Sequence, residues 1–181
     1  SDLLIIEKIY RNSVLPTIRK SKTLSWLNKR HNKLMCRIIG WKLKKSFGGR
    51  LNFFGVGGAK LDTTVEEFLW KARFPYAIGY GLTEASPLLT HAVGKQRYPG
   101  SIGYPVHGVE MRLDNVNPET GEGEIVARGD NVMLGYYKDP KRTKEAFTED
   151  GWLKTKDVAS MDKKGRYYIK GRLGNMIVGP S

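Results

Sequence analysis

The stretch that decides the fold is residues 77–84, AIGYGLTE, in which a short apolar run meets a tyrosine between two glycines and then a hydroxyl and a carboxylate. A strand that enters such a turn lets the backbone approach a ligand closely and presents an aromatic face, a hydroxyl and an acid. These groups suit a nucleotide and its metal ion. Each also has an ordinary structural explanation: Tyr80 as a core tyrosine, Thr83 as a helix cap and Glu84 as a partner of a helix dipole.

A second strand and a helix precede this stretch. Residues 51–56 form a predicted buried strand that ends in Gly57-Gly58-Ala59, and Asp62 or Thr63 caps a helix that Phe74-Pro75 ends. The strand at 76–80 follows. Strand, helix and strand form a unit with parallel strands, which places both glycine turns at the edge of the sheet where such folds bind ligands. The predicted apolar face of the helix consists of Val65, Phe68, Leu69 and Ala72.

Basic helices are predicted before this unit, at residues 3–15 and 24–45. Of the net charge of +13, residues 1–50 contribute +11, because they hold 13 Lys and Arg against Asp2 and Glu7. Such a field attracts phosphorylated substrates, anionic lipid or nucleic acid. A solvated helix face is the ordinary alternative. The expected apolar face of the second helix consists of Leu24, Leu27, His31, Leu34, Met35, Ile38 and Leu43.

Short strands separated by turns follow after about residue 95, at 109–113, 123–128, 157–161 and 166–169. One helix interrupts them, capped by Asp139 with Pro140 at its first position. The predicted fold is therefore α/β: basic helices, a strand-helix-strand unit of a mainly parallel sheet, and a mostly antiparallel β lobe. We expect domains at 1–95 and 96–172, and the start of a hinge at 173–181.

The composition is that of a globular protein, with 40% hydrophobic and 10% aromatic residues. The single cysteine, Cys36, excludes an internal disulfide and fits a reducing compartment. The aliphatic run at residues 3–6 is far shorter than a membrane span or a signal-peptide core. We therefore expect a cytoplasmic protein, with peripheral contact between residues 1–50 and an anionic membrane as a further expectation.

Six segments stand in order along the chain: 57–61 (GGAKL), 79–84 (GYGLTE), 121–125 (GEGEI), 133–137 (MLGYY), 151–157 (GWLKTKD) and 165–172 (GRYYIKGR). Together they resemble the adenylate-forming superfamily, which includes acyl-CoA synthetases, luciferases and peptide-synthetase adenylation domains. Two positions depart from the family pattern: Lys60 replaces a usual proline, and Lys156 stands where glycine is common. The first 46 residues look most like bacterial long-chain fatty acid synthetases.

The resemblance implies activation of a fatty acid as acyl-adenylate with ATP and magnesium, followed by transfer to coenzyme A. It assigns catalysis to Thr83 and Glu84, the magnesium ligand to Glu84, and a hinge to Gly174. Trp152 is expected to pack rather than to react. The implied ATP- and AMP-binding residues are Gly57, Gly58, Ala59, Gly79, Tyr80, Gly81, Leu82, Thr83, Asp157 and Arg172.

Two parts of the family pattern have no counterpart in these 181 residues: the Ser/Thr/Gly-rich phosphate loop and the C-terminal domain with its adenylation lysine. Because the chain also starts without methionine, we expect an inactive internal fragment of a larger enzyme's large domain.

Two alternatives stay open beside the fatty acyl-CoA synthetase. One is an aryl- or amino-acid-activating member of the superfamily. The other is a non-catalytic basic module that binds anionic membranes or nucleic acid, which would leave the six segments unexplained. We expect no nucleic-acid partner.

Overall fold

The computed structural model describes residues 8–14, 16, 32–58 and 60–174. Within these residues, the structure contains no helix with the length and apolar character needed to cross a membrane. The chain forms two compact units, Ser1–Ile78 with Val93–Gly100, and Gly79–Ala92 with Ser101–Ser181. The predicted domains at 1–95, 96–172 and 173–181 divide the chain differently and stay a prediction.

The described residues of the first unit include two α-helices and a parallel strand pair. A π-helical turn at Tyr10–Val14 precedes α1 (Asn32–Ser46), β1 (Phe54–Val56) and α2 (Thr63–Lys71). Strand β2 (Tyr76–Tyr80) pairs parallel with β1, from Phe54 opposite Tyr76 to Val56 opposite Ile78. The strand-helix-strand prediction is thus confirmed, but the first strand begins at Phe54 rather than at residue 51, and of its residues only Val56 is buried. Residues 24–31 of the predicted second helix, and residues 3–7 and 15 of the predicted first helix, lie outside the described residues.

Apolar faces of the two helices form the core of the first unit. On α2 the predicted face is confirmed, since Val65, Phe68 and Leu69 are buried. On α1, Leu43 is buried, but Ile38 is 53% exposed, so its placement on the apolar face was wrong. The helices cross closely at Gly40, because a Cβ there would lie 2.7 Å from the Cβ of Ala72.

A buried carboxylate attaches the segment Val93–Gly100 to this unit. Glu66 accepts hydrogen bonds from the Gly100 backbone N–H at 2.8 Å and from the Tyr76 hydroxyl at 3.4 Å. Burial raises the pKa of Glu66. Arg97 adds a hydrogen bond to the carbonyl of Tyr76 at 3.1 Å, and its guanidinium lies over the Tyr76 ring.

The second unit contains an antiparallel sheet with the strand order β5-β6-β7-β8. Its strands are β5 (Val109–Asp114), β6 (Glu122–Gly129), β7 (Leu153–Met161) and β8 (Tyr167–Arg172). The predicted antiparallel lobe is confirmed.

Smaller elements complete the second unit. Helix α3 (Pro140–Ala146) begins after Asp139, whose carboxylate accepts the Arg142 backbone N–H at 2.9 Å, as predicted. Two short strands without a prediction, β3 (Thr90–Ala92) and β4 (Tyr104–Pro105), pair antiparallel. The structure thus contains both parallel pairing, of β1 with β2, and antiparallel pairing, of β3 with β4. The α/β fold class is confirmed.

Candidate functional site

The turn after β2 brings the backbone into unusually close contact with itself. A Cβ on Gly81 would lie 1.8 Å from the carbonyl oxygen of Pro87, so only glycine fits there. The Leu89 N–H donates to the Tyr80 carbonyl at 2.8 Å and closes the turn. Residues Thr83–Ala85 form a single 3₁₀ turn. The residue at its N-cap position is Leu82, whose side chain makes no capping hydrogen bond. Neither a capping role for Thr83 nor a helix dipole beside Glu84 therefore applies.

Asn131 fixes the far side of this turn. Its side-chain amide donates to the carbonyls of Ala85 and Leu88, both at 2.8 Å. The Met133 N–H donates to the carbonyl of Glu84 at 2.8 Å. The segment that follows β6 therefore fixes the backbone of the turn that contains Thr83 and Glu84.

Tyr80 and Asp157 form a hydrogen-bonded pair across 77 residues of sequence. The Tyr80 hydroxyl donates to Oδ2 of Asp157 at 2.7 Å, and burial raises the pKa of Tyr80. The ring packs at the edge of a core made by Ala85, Leu89, Ala127 and Leu153. Tyr80 is thus a packed tyrosine whose hydroxyl is held by Asp157. This arrangement is compatible with a core tyrosine and with an aromatic face for a nucleotide, the two interpretations given above.

Arg172 completes this group at the end of β8. Its Nε lies 3.9 Å from Oδ1 of Asp157, the long limit of an ion pair. The Asp157 side chain is 20% exposed and that of Arg172 is 63% exposed. Oδ1 of Asp157 and the exposed donors of Arg172 can therefore both serve a ligand.

Glu84 is held by Tyr136, a residue that had no assigned role in the sequence. The Tyr136 hydroxyl donates to Oε1 of Glu84 at 2.8 Å. This hydrogen bond is the main reason why the pKa of Glu84 lies below its ordinary value, and the charges of Arg142 and Arg172 lower it further. The Arg142 guanidinium stacks 4.2 Å from the centre of the Tyr136 ring.

A cleft of about 350 Å³ collects most of these groups in the second unit. Four cations and two carboxylates face it, which gives a formal charge of +2. Such a cleft favours an anionic ligand. Its lining consists of Leu82, Glu84, Tyr136, Arg142, Glu145, Ala146, Leu153, Lys154, Thr155, Lys156 and Arg172.

Of the predicted site residues, Leu82, Glu84 and Arg172 line this cleft, and the other described ones, including Tyr80, Gly81 and Asp157, do not. Thr83 is exposed beside it, and Gly79 lies within β2. Gly57 and Gly58 follow β1 in the first unit, and Ala59 lies outside the described residues. Gly174 is the last described residue and has a φ of 94°, in the region that favours glycine. Its role as a hinge stays a prediction.

Sequence reasoning missed Tyr136, Arg142 and Lys154. Tyr136 lies in the segment MLGYY, which the resemblance already marked, so that motif was the available signal. Nothing local in the sequence marks Arg142 or Lys154, since each is one of many basic residues.

The residues present fit a magnesium ion that is shared with a ligand. The described residues contain no group of three or more metal-ligating side chains. Glu84 is ionised and half-buried, and only one of its oxygens accepts from Tyr136. Magnesium is commonly held by one or two carboxylates together with substrate phosphates and water, and a lone Glu84 suits that arrangement.

Comparison with known proteins identifies the class that this fold and cleft define. The model of the family described as AMP-binding enzyme matches residues 14–137. Fatty acyl-CoA synthetase A of Dictyostelium discoideum is 36% identical over 151 residues, which are 77% of this chain and 22% of that protein. 4-Coumarate–CoA ligase 1 of Glycine max is 38% identical over 136 residues, 67% of this chain and 45% of that protein.

A solved structure agrees with these relatives. A malonyl-CoA ligase, in a ternary product complex with methylmalonyl-CoA and AMP bound, superimposes with a TM-score of 0.63 at 32% identity. The match covers 72% of this chain and 29% of that one. The chain belongs to the AMP-binding enzyme family, and it spans between about a fifth and a half of the length of these curated relatives.

Proposed function

We propose that this chain supplies the nucleotide-binding part of an ATP-dependent acyl-CoA ligase. In that reaction a carboxylate oxygen attacks the α-phosphorus of ATP, the bond to the β-phosphate breaks, and pyrophosphate leaves. The thiolate of coenzyme A then attacks the acyl carbon and displaces AMP. The observation that carries the proposal is the cleft of the second unit, in which Glu84 and Arg172 meet beside the Tyr80–Asp157 pair.

Each group has a role that follows from its chemistry. The Tyr80 ring offers a face for adenine, and such stacking contributes about 1–3 kcal/mol per base in nucleic-acid binders. Oδ1 of Asp157 accepts from a ribose hydroxyl, since Oδ2 is already occupied by Tyr80. The exposed Thr83 hydroxyl donates to an α-phosphate oxygen, where negative charge develops. Arg172 donates to ribose or phosphate oxygens.

Magnesium completes the proposal with Glu84 as its protein ligand. When bound, the ion offsets the charge of the phosphate oxygens and thereby favours attack by an anionic carboxylate. The hydrogen bond from Tyr136 lowers the pKa of Glu84 and so favours its ionised form.

Binding of AMP and ATP by this chain tests the proposal. We expect Asp157→Ala to weaken both affinities about tenfold, since a hydrogen bond to a charged group contributes about 1.5 kcal/mol or more. Titration calorimetry measures the change. Asp150→Ala is the matched control, because Asp150 pairs at 2.8 Å with Arg112, which does not line the cleft, whereas Asp157 pairs with Arg172, which does. Absence of nucleotide binding by the unsubstituted chain, or equal affinities in both variants, would contradict the proposal.

We further propose a long-chain fatty acid as the acyl substrate. The Dictyostelium relative is named as a fatty acyl-CoA synthetase, while the other two proteins are named for coumarate and malonyl substrates at similar identities. The resemblance of the first 46 residues to long-chain fatty acid synthetases favours a fatty acid over the other two substrates. A cytoplasmic location and contact with an anionic membrane stay predictions.

The substrate is tested by pyrophosphate release in a ligase that contains this sequence, with ATP, magnesium and palmitate, malonate or 4-coumarate. We expect the highest kcat/KM with palmitate and no release from this chain alone. A preference for either of the other acids would refute the long-chain assignment, and turnover by the isolated chain would refute its inactivity.

A further inference from the structure

A bulge in β7 gives Lys156 an unusual backbone conformation. The pairing of β6 with β7 runs from Val126 opposite Lys154 directly to Glu124 opposite Val158, so residues 155–157 face a single residue of β6. Lys156 has a φ of 64°, in the left-handed region. A residue with a Cβ rarely adopts this conformation, and it persists only where neighbouring groups impose it.

Hydrogen bonds on both sides fix this bulge. The Lys156 N–H donates to Oε1 of the buried Glu124 at 2.9 Å, and its carbonyl accepts the Leu173 N–H at 2.7 Å. The Thr155 hydroxyl donates to the Ile125 carbonyl at 2.9 Å and accepts the Asp157 N–H at 3.1 Å. Bulges beside functional sites commonly redirect a side chain. Here the same bulge orients both Lys156 and Asp157.

The Lys156 side chain is exposed and lines the cleft of the second unit. Within the part of the chain that the structure describes, its ammonium group has no hydrogen-bond or ion-pair partner. Arg172 lies 3.9 Å from Asp157, and Arg142 is stacked on Tyr136, so both of these cations are partly engaged. Lys156 is therefore a cation available to an anion that enters the cleft.

We propose that Lys156 is a specificity-determining residue, whose ammonium group binds the phosphate oxygens of a nucleoside polyphosphate in this cleft. The inference rests on the proposed function and extends it to a residue at a position where glycine is common in similar proteins. Glu124 acts as a positioning residue, because it holds the backbone that places Lys156. The cation favours ATP over adenosine, since only the former carries the phosphate charge.

Lys156→Asn tests this assignment, because asparagine tolerates a left-handed backbone and carries no charge. Calorimetry compares the affinities of ATP and adenosine at low and moderate salt. We expect a loss of about threefold to tenfold for ATP, no change for adenosine, and a weaker salt dependence of ATP binding. Lys163→Asn is the matched control, since it removes a lysine of the same unit that lies outside the cleft lining. Lys156→Arg should retain the preference for ATP.

Three results would overturn the inference. They are unchanged ATP affinity in Lys156→Asn, an equal loss for ATP and adenosine, and an equal loss in the Lys163 control. If the asparagine variant does not fold, Lys156→Gly replaces it, because glycine adopts the left-handed region without strain. Failure of the unsubstituted chain to bind any nucleotide would refute the proposed function itself, whereas binding that is indifferent to Lys156 refutes only this inference.

Discussion

The Tyr136 hydroxyl donates a hydrogen bond to Glu84 at 2.8 Å and lowers the pKa of its carboxyl group. The two residues are separated by 52 positions, and Glu84 lies in a 3₁₀ turn whereas Tyr136 lies in an irregular segment. A carboxylate that is needed as a metal ligand must stay ionised, and a hydroxyl donor favours the ionised form without adding a competing charge. Tyr136 therefore tunes Glu84 while leaving the cationic character of the cleft to Arg142 and its neighbours.

Replacing this hydroxyl should change the titration of Glu84. We expect Tyr136→Phe to raise the pKa of Glu84 toward its ordinary value, since the largest cause of the lowering is removed. A carboxyl whose pKa is lowered by folding stabilises the protein above its unfolded-state pKa, and this contribution is lost as pH falls through the folded-state pKa. The variant should thus lose stability at neutral pH and depend less on pH in the acidic range.

Carboxyl NMR titration measures the pKa, and urea unfolding at pH 7 and pH 3 measures the stability. Glu84→Gln assigns the resonance by removing it. A Glu84 pKa that is unchanged in Tyr136→Phe would show that the hydrogen bond does not control its charge.

At this scale the sequence predicted residues within motifs but not their partners. Tyr80, Asp157 and Glu84 follow from local patterns, whereas the Tyr80–Asp157 bond spans 77 residues and the Glu84–Tyr136 bond spans 52. Such pairs depend on how strands are arranged, which no local pattern specifies.

Among the helices and strands, α2 has the clearest sequence signal for its first residue, namely a capping side chain. Asp62 and Thr63 were both candidate caps, and the structure selects Asp62. Its Oδ1 accepts the N–H groups of Thr64 at 2.9 Å and Val65 at 3.2 Å. These donors would otherwise lack partners at the helix end.

This choice predicts different effects for two neighbouring substitutions. We expect Asp62→Ala to lower the free energy of unfolding by about 1 kcal/mol, the usual cost of losing a cap. Thr63→Ala, the matched control, should have little effect, because Thr63 is exposed and is the first helical residue. Urea unfolding of both variants measures the difference. An equal loss in both would contradict the assignment of the cap.

Strand β7 shows why element boundaries were harder to predict. It was expected at 157–161 but begins at Leu153. The bulge at 155–157 shifts the alternation of inward and outward side chains. The residues before the bulge therefore do not continue the alternating pattern by which the second half of the strand was predicted. Strands β3 and β4 escaped prediction because three and two residues are too few to show a period.

At the scale of the whole molecule, charge and site lie in different parts of the sequence. Residues 1–50 carry +11 of the net +13, while the lining of the cleft, among the described residues, runs from Leu82 to Arg172. Helix α1 alone carries five of these cations and no acid. Charge by itself therefore favours a polyanion partner for the beginning of the chain, and the cleft favours a nucleotide.

Polyanion binding and nucleotide binding can be distinguished by measuring retention on heparin and on immobilised AMP. We expect retention on AMP that free ATP reverses and that Asp157→Ala weakens, because it depends on specific contacts in the cleft. Retention on heparin should fall steeply with salt and be insensitive to Asp157→Ala, since it depends on the total positive charge. Asp150→Ala serves as the control on both columns. Strong heparin retention without any retention on AMP would instead support the basic binding module and would remove the ligase proposal.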